Sequence, residues 1–256
     1  SSEYRGGVYN ADVVSLRGTL LPELISKGVL ARYKSPLKQF IRKGFADEDG
    51  YFLGLYGTGY ALIYNTRNVK SNEVPKSYED LLNSTWKHRL VMDREEYDWL
   101  AGIIDLMGDK KGTEFFRRLV DEQKLAFNRG HTQMTQLLAA GEYDLIVDGY
   151  VPNAVQIKNA GAPVDFVLTN PTLVKPPQSL SITSKAPHPH AAALLVDYQL
   201  SRAAQTDLAQ NRGHWTTRTD VKWGVEPRGE LHVIPPLQWG RNYNSLAELF
   251  RKISGQ

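Results

Sequence analysis

Short apolar runs and longer amphipathic stretches take turns along this chain, and each change of rhythm marks a boundary between predicted elements. The stretch from Gly141 to Ala154, GEYDLIVDGYVPNA, shows the rule. Gly141 closes a helix read in HTQMTQLLAAG, Leu145–Ile146–Val147 reads as a short buried strand, and the strand ends on Asp148–Gly149–Tyr150 ahead of a proline and a new helix. Arg89–Trp99 repeats this grammar, with a strand at Leu90–Met92, a charged turn and a helix over Tyr97–Met107. Strand ends of this kind face the crevices where open α/β sheets keep their ligands.

The rest of the chain extends the pattern. Glu3–Asn10 reads as a loop, Ala11–Leu16 as a short buried strand, and Thr19–Lys27 as a helix stopped by Gly28. In Gly50–Thr66, Tyr60, Leu62 and Tyr64 alternate against Ala61 and Ile63, which predicts a strand crossing between lobes. Ser77 and Asp80 resemble a capping box ahead of Leu81–Leu82. Further helices are predicted over Lys111–Val120, up to Ala160, over His190–Gln210 and in the tail NSLAELFRKI, with a strand at Val164–Leu168. The Pro-rich Asn170–Thr183 suits a second crossing strand. This order predicts an α/β fold of two lobes joined by two crossing hinge strands. The first lobe takes 1–64 and 174–230, the second takes 65–173, and 231–256 forms a C-terminal helical segment packing across or on the second lobe.

Composition narrows the function. The chain has 256 residues, enough for two lobes of roughly 100–150 residues each. Its 31 basic and 28 acidic residues give a net charge of +3 without a basic block, so nucleic-acid binding is not indicated. No apolar run reaches the roughly 18–20 residues that span a bilayer, and the polar, Gly-rich Ser1–Tyr9 is no signal peptide. The absence of cysteine excludes a catalytic thiol, a thiolate metal site and disulfides.

Candidate site residues follow from position. Tyr150 lies beyond a buried strand, although a half-buried interfacial ring is its ordinary role. Arg17 stands between a strand and a helix start, where a guanidinium and free backbone N–H groups would converge on an anion. Arg129 and His131 open a helix, with Thr132 as its cap, and cations at that positive end are unfavourable unless an anion relieves them. In Asp93–Trp99 the acids fall in a first helical turn, which the macrodipole alone explains. Tyr56 and Thr58 flank glycine in a turn that allows close backbone approach to a ligand. His188 and His190 fit a helix start better than a metal pair, and no G-x-S-x-G, H-E-x-x-H or Walker loop is present.

With the elements placed, ADVVSLRGTLLPELISKGVLARY, GYALIYNT followed by VPKSYEDLLNSTWKHRLVM, AAGEYDLIVDGY, NAGAPVDFVL and ITSKAPHPHAAALLVDYQLSRAAQTDLAQ together resemble the type 2 periplasmic solute-binding proteins of ABC importers, and most of all their ferric-iron-type subgroup. The resemblance implies a monomeric, non-enzymatic periplasmic receptor. It would close two lobes on a small solute, hand it to a permease and need no cofactor. It also implies a further strand and helix ahead of Ser1, and places Arg94, Tyr97 and Asp98 at the cleft. Three departures bear on iron. The subgroup's paired tyrosines correspond to Tyr150 followed by Val151; its glutamate in the loop after the strand matching Ala11–Leu16 corresponds to Arg17; and Glu95, Glu96, Tyr97 and Asp98 replace its small Ser/Gly anion loop. Ferric ion wants hard anionic oxygens, so the expected ligand is a small anion held by Arg17 and Arg129, with Tyr97 and Tyr150 as walls. The alternatives are Fe(III), with Tyr150 as a ligand, and a carboxylate enzyme using Glu95, Glu96 and Asp98.

Overall fold

The computed structural model describes Tyr4, residues 6–212 and residues 214–256. Glu3 and Arg5 of the opening loop lie outside the described residues. The chain divides into two units, the first Ser1–Gly57, Pro176–Glu226 and Pro235–Asn242, the second Thr58–Lys175, Pro227–Ile234 and Tyr243–Gln256.

In chain order the strands and α-helices are β1 (Val13–Arg17), α1 (Leu21–Ser26), β2 (Leu53–Gly57), β3 (Tyr60–Asn65), β4 (Leu90–Asp93), α2 (Tyr97–Met107), α3 (Asp109–Asp121), β5 (Ala126–Asn128), α4 (His131–Ala140), β6 (Leu145–Tyr150), α5 (Val151–Asn159), β7 (Val164–Val167), β8 (Thr172–Val174), β9 (Gln178–Ile182), α6 (Pro189–Gln199), α7 (Arg202–Arg212), β10 (Trp215–Thr216), β11 (Leu231–Val233), α8 (Pro236–Arg241) and α9 (Tyr243–Ser254).

The first unit is built on an antiparallel sheet ordered β1-β9-β2-β10. Leu53, Leu180 and Ile182 pack there with Ala192, Val196 and Leu200. The strand expected at Ala11–Leu16 is β1, shifted toward Arg17, and it is only half-buried because it lies at the sheet edge. The long helix expected over His190–Gln210 is two helices, α6 and α7. At the break, Arg218 donates to the carbonyl of Leu200 at 2.9 Å, supplying a partner that a continuing helix would otherwise have provided.

The second unit carries a five-stranded sheet ordered β5-β4-β6-β3-β7. β4 runs parallel to both β5 and β6, whereas β3 runs antiparallel to β6 and β7. All of β3 except Tyr64 is buried, because the strand lies inside the sheet between β6 and β7. Gly149 permits the close approach of β3 and β6, since a Cβ there would lie 2.3 Å from Ile63 Cδ1. Trp99 is wholly buried among Tyr78, Phe115 and Phe116. The box at Ser77 and Asp80 forms reciprocally, at 3.0 Å and 3.3 Å, ahead of the short 3-10 helix Glu79–Leu82.

Each stretch expected to be one crossing strand is two strands. Gly50–Thr66 divides into β2 of the first unit and β3 of the second, so residues 58–64 belong with the second unit. Asn170–Thr183 divides into β8 and β9 around Pro176–Pro177, where the missing N–H groups interrupt a ladder. The segment 231–256 is not wholly helical. β11 pairs in parallel with β8 in the second unit, α8 belongs to the first unit, and α9 packs on α2 and α3 of the second. Among the described residues no helix is long and apolar enough to cross a membrane.

Candidate functional site

Because β4, β5 and β6 run parallel, α2, α4 and α5 all begin at one edge of the second unit's sheet. Their positive ends favour carboxylates there, and four are buried at that edge: Asp93, Glu96, Asp98 and Asp148.

Glu96 is the hub. It is the N-cap residue of α2, and its side chain turns inward instead of capping the helix. Its Oε1 accepts from Tyr60 Oη at 2.7 Å and from Lys175 Nζ at 2.5 Å, while Oε2 accepts a short hydrogen bond from Tyr150 Oη. Lys175 also donates to Tyr150 Oη at 2.6 Å and pairs with Asp98 Oδ2 at 3.6 Å. The ammonium therefore hydrogen-bonds to two oxygens and has a second carboxylate as an ion-pair neighbour. The register Tyr60↔Tyr150 sets the two phenols side by side, and Lys175 is held where its own N–H donates to the carbonyl of Thr58 at 3.0 Å.

His131 adds a second layer. Its ring lies on that of Tyr150, with centroids 3.8 Å apart and planes 13° from parallel. Nε2 reaches Asp148 Oδ2 at 3.2 Å and its backbone carbonyl at 3.1 Å, and Glu96 Oε2 lies at 3.8 Å. Asp148 Oδ2 also accepts from the Asp93 backbone at 3.0 Å, and Asp148 Oδ1 has no hydrogen-bond partner among the described residues. Asp93 is fixed in turn by the N–H groups of Glu95 at 2.8 Å and Gly130 at 2.6 Å. Gly130 adopts φ +85°, a conformation suited to glycine, so the chain can present that N–H to Asp93 just before α4.

The electrostatics follow from this packing. Burial alone would raise the Glu96 pKa, but the charges of Lys175 and His131 and the hydrogen bonds from Lys175 and Tyr150 outweigh it and hold the carboxyl at about 2. Burial also disfavours charge on His131, yet Asp148 and Glu96 together raise its pKa above the ordinary value. Asp148 is pushed up by burial, with His131 opposing. Tyr60 and Tyr150 are driven well above the ordinary phenol range, first by burial and then by the carboxylate of Glu96, so both remain protonated donors.

Of the residues singled out in the sequence, Tyr150, His131 and Asp98 meet in this cluster, and Thr58 contributes its carbonyl. Tyr97 does not form a wall of it. Its ring packs against Tyr243 and Phe250 at 5.7 Å and 5.2 Å, and its hydroxyl accepts from Arg251 at 3.2 Å, so it anchors α9. Arg94 and Arg129 are exposed on either side of Asn128, and their backbone N–H groups bond to it at 2.9 Å and 2.7 Å. Arg17 and Tyr56 belong to the first unit. Arg17 is exposed at the end of β1, and Tyr56 stacks on His214 at 4.0 Å. Thr132 is not the cap of α4; Gly130 occupies that position, and Thr132 accepts from Asn153 at 3.3 Å. The carboxylates proposed for acid and base work do not face a substrate from opposite sides, since Glu96 and Asp98 share one ammonium and Glu95 is exposed.

Position along the sequence did not reveal Tyr60, Asp93, Asp148 or Lys175 as site residues. Tyr60 reads as the first member of an apolar alternation and Lys175 as a surface lysine before two prolines. The available signal was that Asp93 and Asp148 each end an apolar strand with a charge.

The sequence matches the family described as "Bacterial extracellular solute-binding protein" over residues 10–234. No curated protein is similar to it in sequence. Among solved structures, the ferric binding protein from Campylobacter jejuni is similar with a TM-score of 0.84 and 20% identity, covering 98% of this chain and 86% of that one. Iron-bound HitA from Pseudomonas aeruginosa gives 0.81 and 18%, covering 95% and 82%. The periplasmic binding protein AfuA from Actinobacillus pleuropneumoniae, with fructose-6-phosphate bound, gives 0.80 and 19%, covering 99% and 85%.

Proposed function

Since this chain belongs to the bacterial extracellular solute-binding proteins, we propose that it captures a small anionic solute at the strand-end edge of its second unit and delivers it to the permease of an ABC importer. It works in the periplasm as a monomer, and binding and release are its whole activity.

One observation carries the choice of an anion: the acids at this edge face inward and are already engaged, whereas the arginines are exposed. Asp148, Asp98 and Glu96 are 0%, 2% and 5% exposed, and Glu96 is saturated by two phenols and an ammonium. Arg94 and Arg129 extend from the loops after β4 and β5, with Glu95 the exposed acid among them. At these loops two guanidinium groups and the positive starts of three helices outnumber the single exposed carboxylate of Glu95.

A ferric receptor is the second reading. It is favoured by the convergence of Tyr60 and Tyr150 on one carboxylate, and by likeness to proteins named for iron. Against it, both phenols are held protonated, and an ammonium sits 2.6 Å from the Tyr150 oxygen. Native mass spectrometry of protein purified without denaturation, followed by calorimetry with any recovered solute, tests the choice. A retained organic anion is expected. A retained iron atom, with a visible tyrosinate band on adding Fe(III), would replace this reading with the ferric one.

A further inference from the structure

Three oxygen-bearing side chains, Glu96, Asp98 and Tyr150, with Tyr60 bonded to the first of them, gather around one point in the second unit, and the chain fills that point with the end of its own lysine. Lys175 Nζ lies 2.5 Å from Glu96 Oε1, 2.6 Å from Tyr150 Oη and 3.6 Å from Asp98 Oδ2. Tyr60 Oη stands next to this shell, donating at 2.7 Å to the Glu96 oxygen that Lys175 also engages. Two carboxylates and a phenol, with a second phenol adjacent, form a donor set suited to a hard cation, and hard cations take oxygen ligands. The ammonium satisfies the same demand from within: its side chain is 13% exposed, while those of Glu96 and Asp98 are 6% and 2% exposed.

We propose that Lys175 is a built-in cation that locks metal out of an otherwise competent oxygen cage, so that this one side chain determines whether the edge serves a metal or an organic solute. This rests on the reading that solute is captured at the same strand-end edge, but solute capture by the unaltered protein is measured separately, so either idea can fail alone. The physical reason lies in the cost of an uncompensated buried charge. Removing one partner of a buried ion pair leaves its mate short of a counter-ion. In this cage Glu96 and Asp98 would lose the ammonium they share, leaving Glu96 with His131 as its remaining cationic neighbour, and a hard trivalent ion would restore the missing charge. Conversely, a metal entering the unaltered protein must first expel an ammonium that makes three contacts, and the lysine would then need a new partner.

Terbium(III) is the probe, because tyrosines adjacent to the ion sensitise its green emission and so report on Tyr60 and Tyr150 directly. Titrations would compare the unaltered protein with Lys175→Gln, Lys175→Arg and the double variant Lys175→Gln/Glu96→Gln. Lys175→Gln is expected to gain a saturable, tyrosine-sensitised component at least about tenfold tighter than any terbium binding by the unaltered protein, a difference of about 1.4 kcal/mol. Lys175→Arg should keep the lock, and the double variant should lose the gain. A folded Lys175→Gln with unchanged terbium affinity would overturn the proposal, as would an unaltered protein that already binds terbium as tightly. If Lys175→Gln is unfolded alone, terbium is expected to restore its cooperative melting transition, and failure to do so also counts against the lock.

Discussion

Each unit of this protein buries a polar network, and the two are built on opposite principles. In the first unit the centre is Gln205, fully buried and neutral. Its Nε2 donates to the carbonyls of Leu55 at 2.8 Å and Gln199 at 3.0 Å, and its Oε1 accepts from Thr216 Oγ1 at 2.7 Å and the Thr217 N–H at 3.0 Å. Beside it, Arg218 pairs with the part-exposed Asp220 and caps the break between α6 and α7. In the second unit the centre is Glu96, whose neighbours are nearly all ionisable. A neutral amide with four partners ties loops and helices to a sheet at little electrostatic risk. A buried carboxylate stays charged only while Lys175 and His131 remain in place, so its properties respond to pH and to ligands. Satisfied neutral groups mark scaffold, whereas concentrated and displaced titrations mark the place where chemistry is selected.

The comparison can be broken most directly at the two hubs. Glu96→Ala leaves Lys175 with Asp98, 3.6 Å away, as its only carboxylate partner among the described residues and is expected to destabilise the protein by about 3–5 kcal/mol in urea unfolding, and to abolish solute binding in calorimetry. Gln205→Ala strands two carbonyls and two donors, and is expected to cost on the order of 2–3 kcal/mol while leaving solute affinity in the folded protein unchanged. Equal loss of affinity in both variants would erase the distinction between scaffold and site.

Titration offers a finer test. The Glu96 pKa is lowered from 4.5 to about 2 in the folded protein. Its contribution to stability is therefore complete above pH 4.5 and disappears as pH falls toward about 2. The His131 pKa is raised above 6.5, so its contribution is complete below pH 6.5 and is lost as pH rises through the higher folded value. Unfolding free energy measured across pH should decline at both ends, and His131→Asn should remove the decline on the alkaline side. The same scan on Gln205→Ala should retain both limbs.

The smallest expected effect concerns Tyr97, one of the residues that the family resemblance placed at the cleft. Tyr97→Phe removes only the hydroxyl that accepts from Arg251, so it should cost about 0.5–1.5 kcal/mol in thermal unfolding and leave solute affinity unaltered. A marked loss of affinity would return Tyr97 to the binding surface.

Much of the local architecture was legible from the order of residues. The strand–turn–helix units around Leu90–Met107 and His131–Tyr150, the reciprocal box at Ser77 and Asp80, and the tail helix arise from apolar periodicity and capping, which act within a few residues. Helix breaks and strand ends were less legible. Arg218, eighteen residues beyond Leu200, helps to satisfy the carbonyl where α6 stops, and Pro176–Pro177 separates β8 from β9 in a stretch that reads as one extended segment.

By itself the sequence determined the element types, the α/β class and the family likeness, along with Tyr150, His131 and Asp98 as residues of interest. Only tertiary structure decided that Glu96 is the hub, that Lys175 reaches it from 79 positions away, and that Tyr97 turns toward α9. Periodicity records which face of an element is apolar. The burial that sets a carboxyl at about 2, or keeps a phenol protonated, depends on side chains brought together from β3, β6, α2, α4 and the end of β8, and no local pattern encodes that meeting.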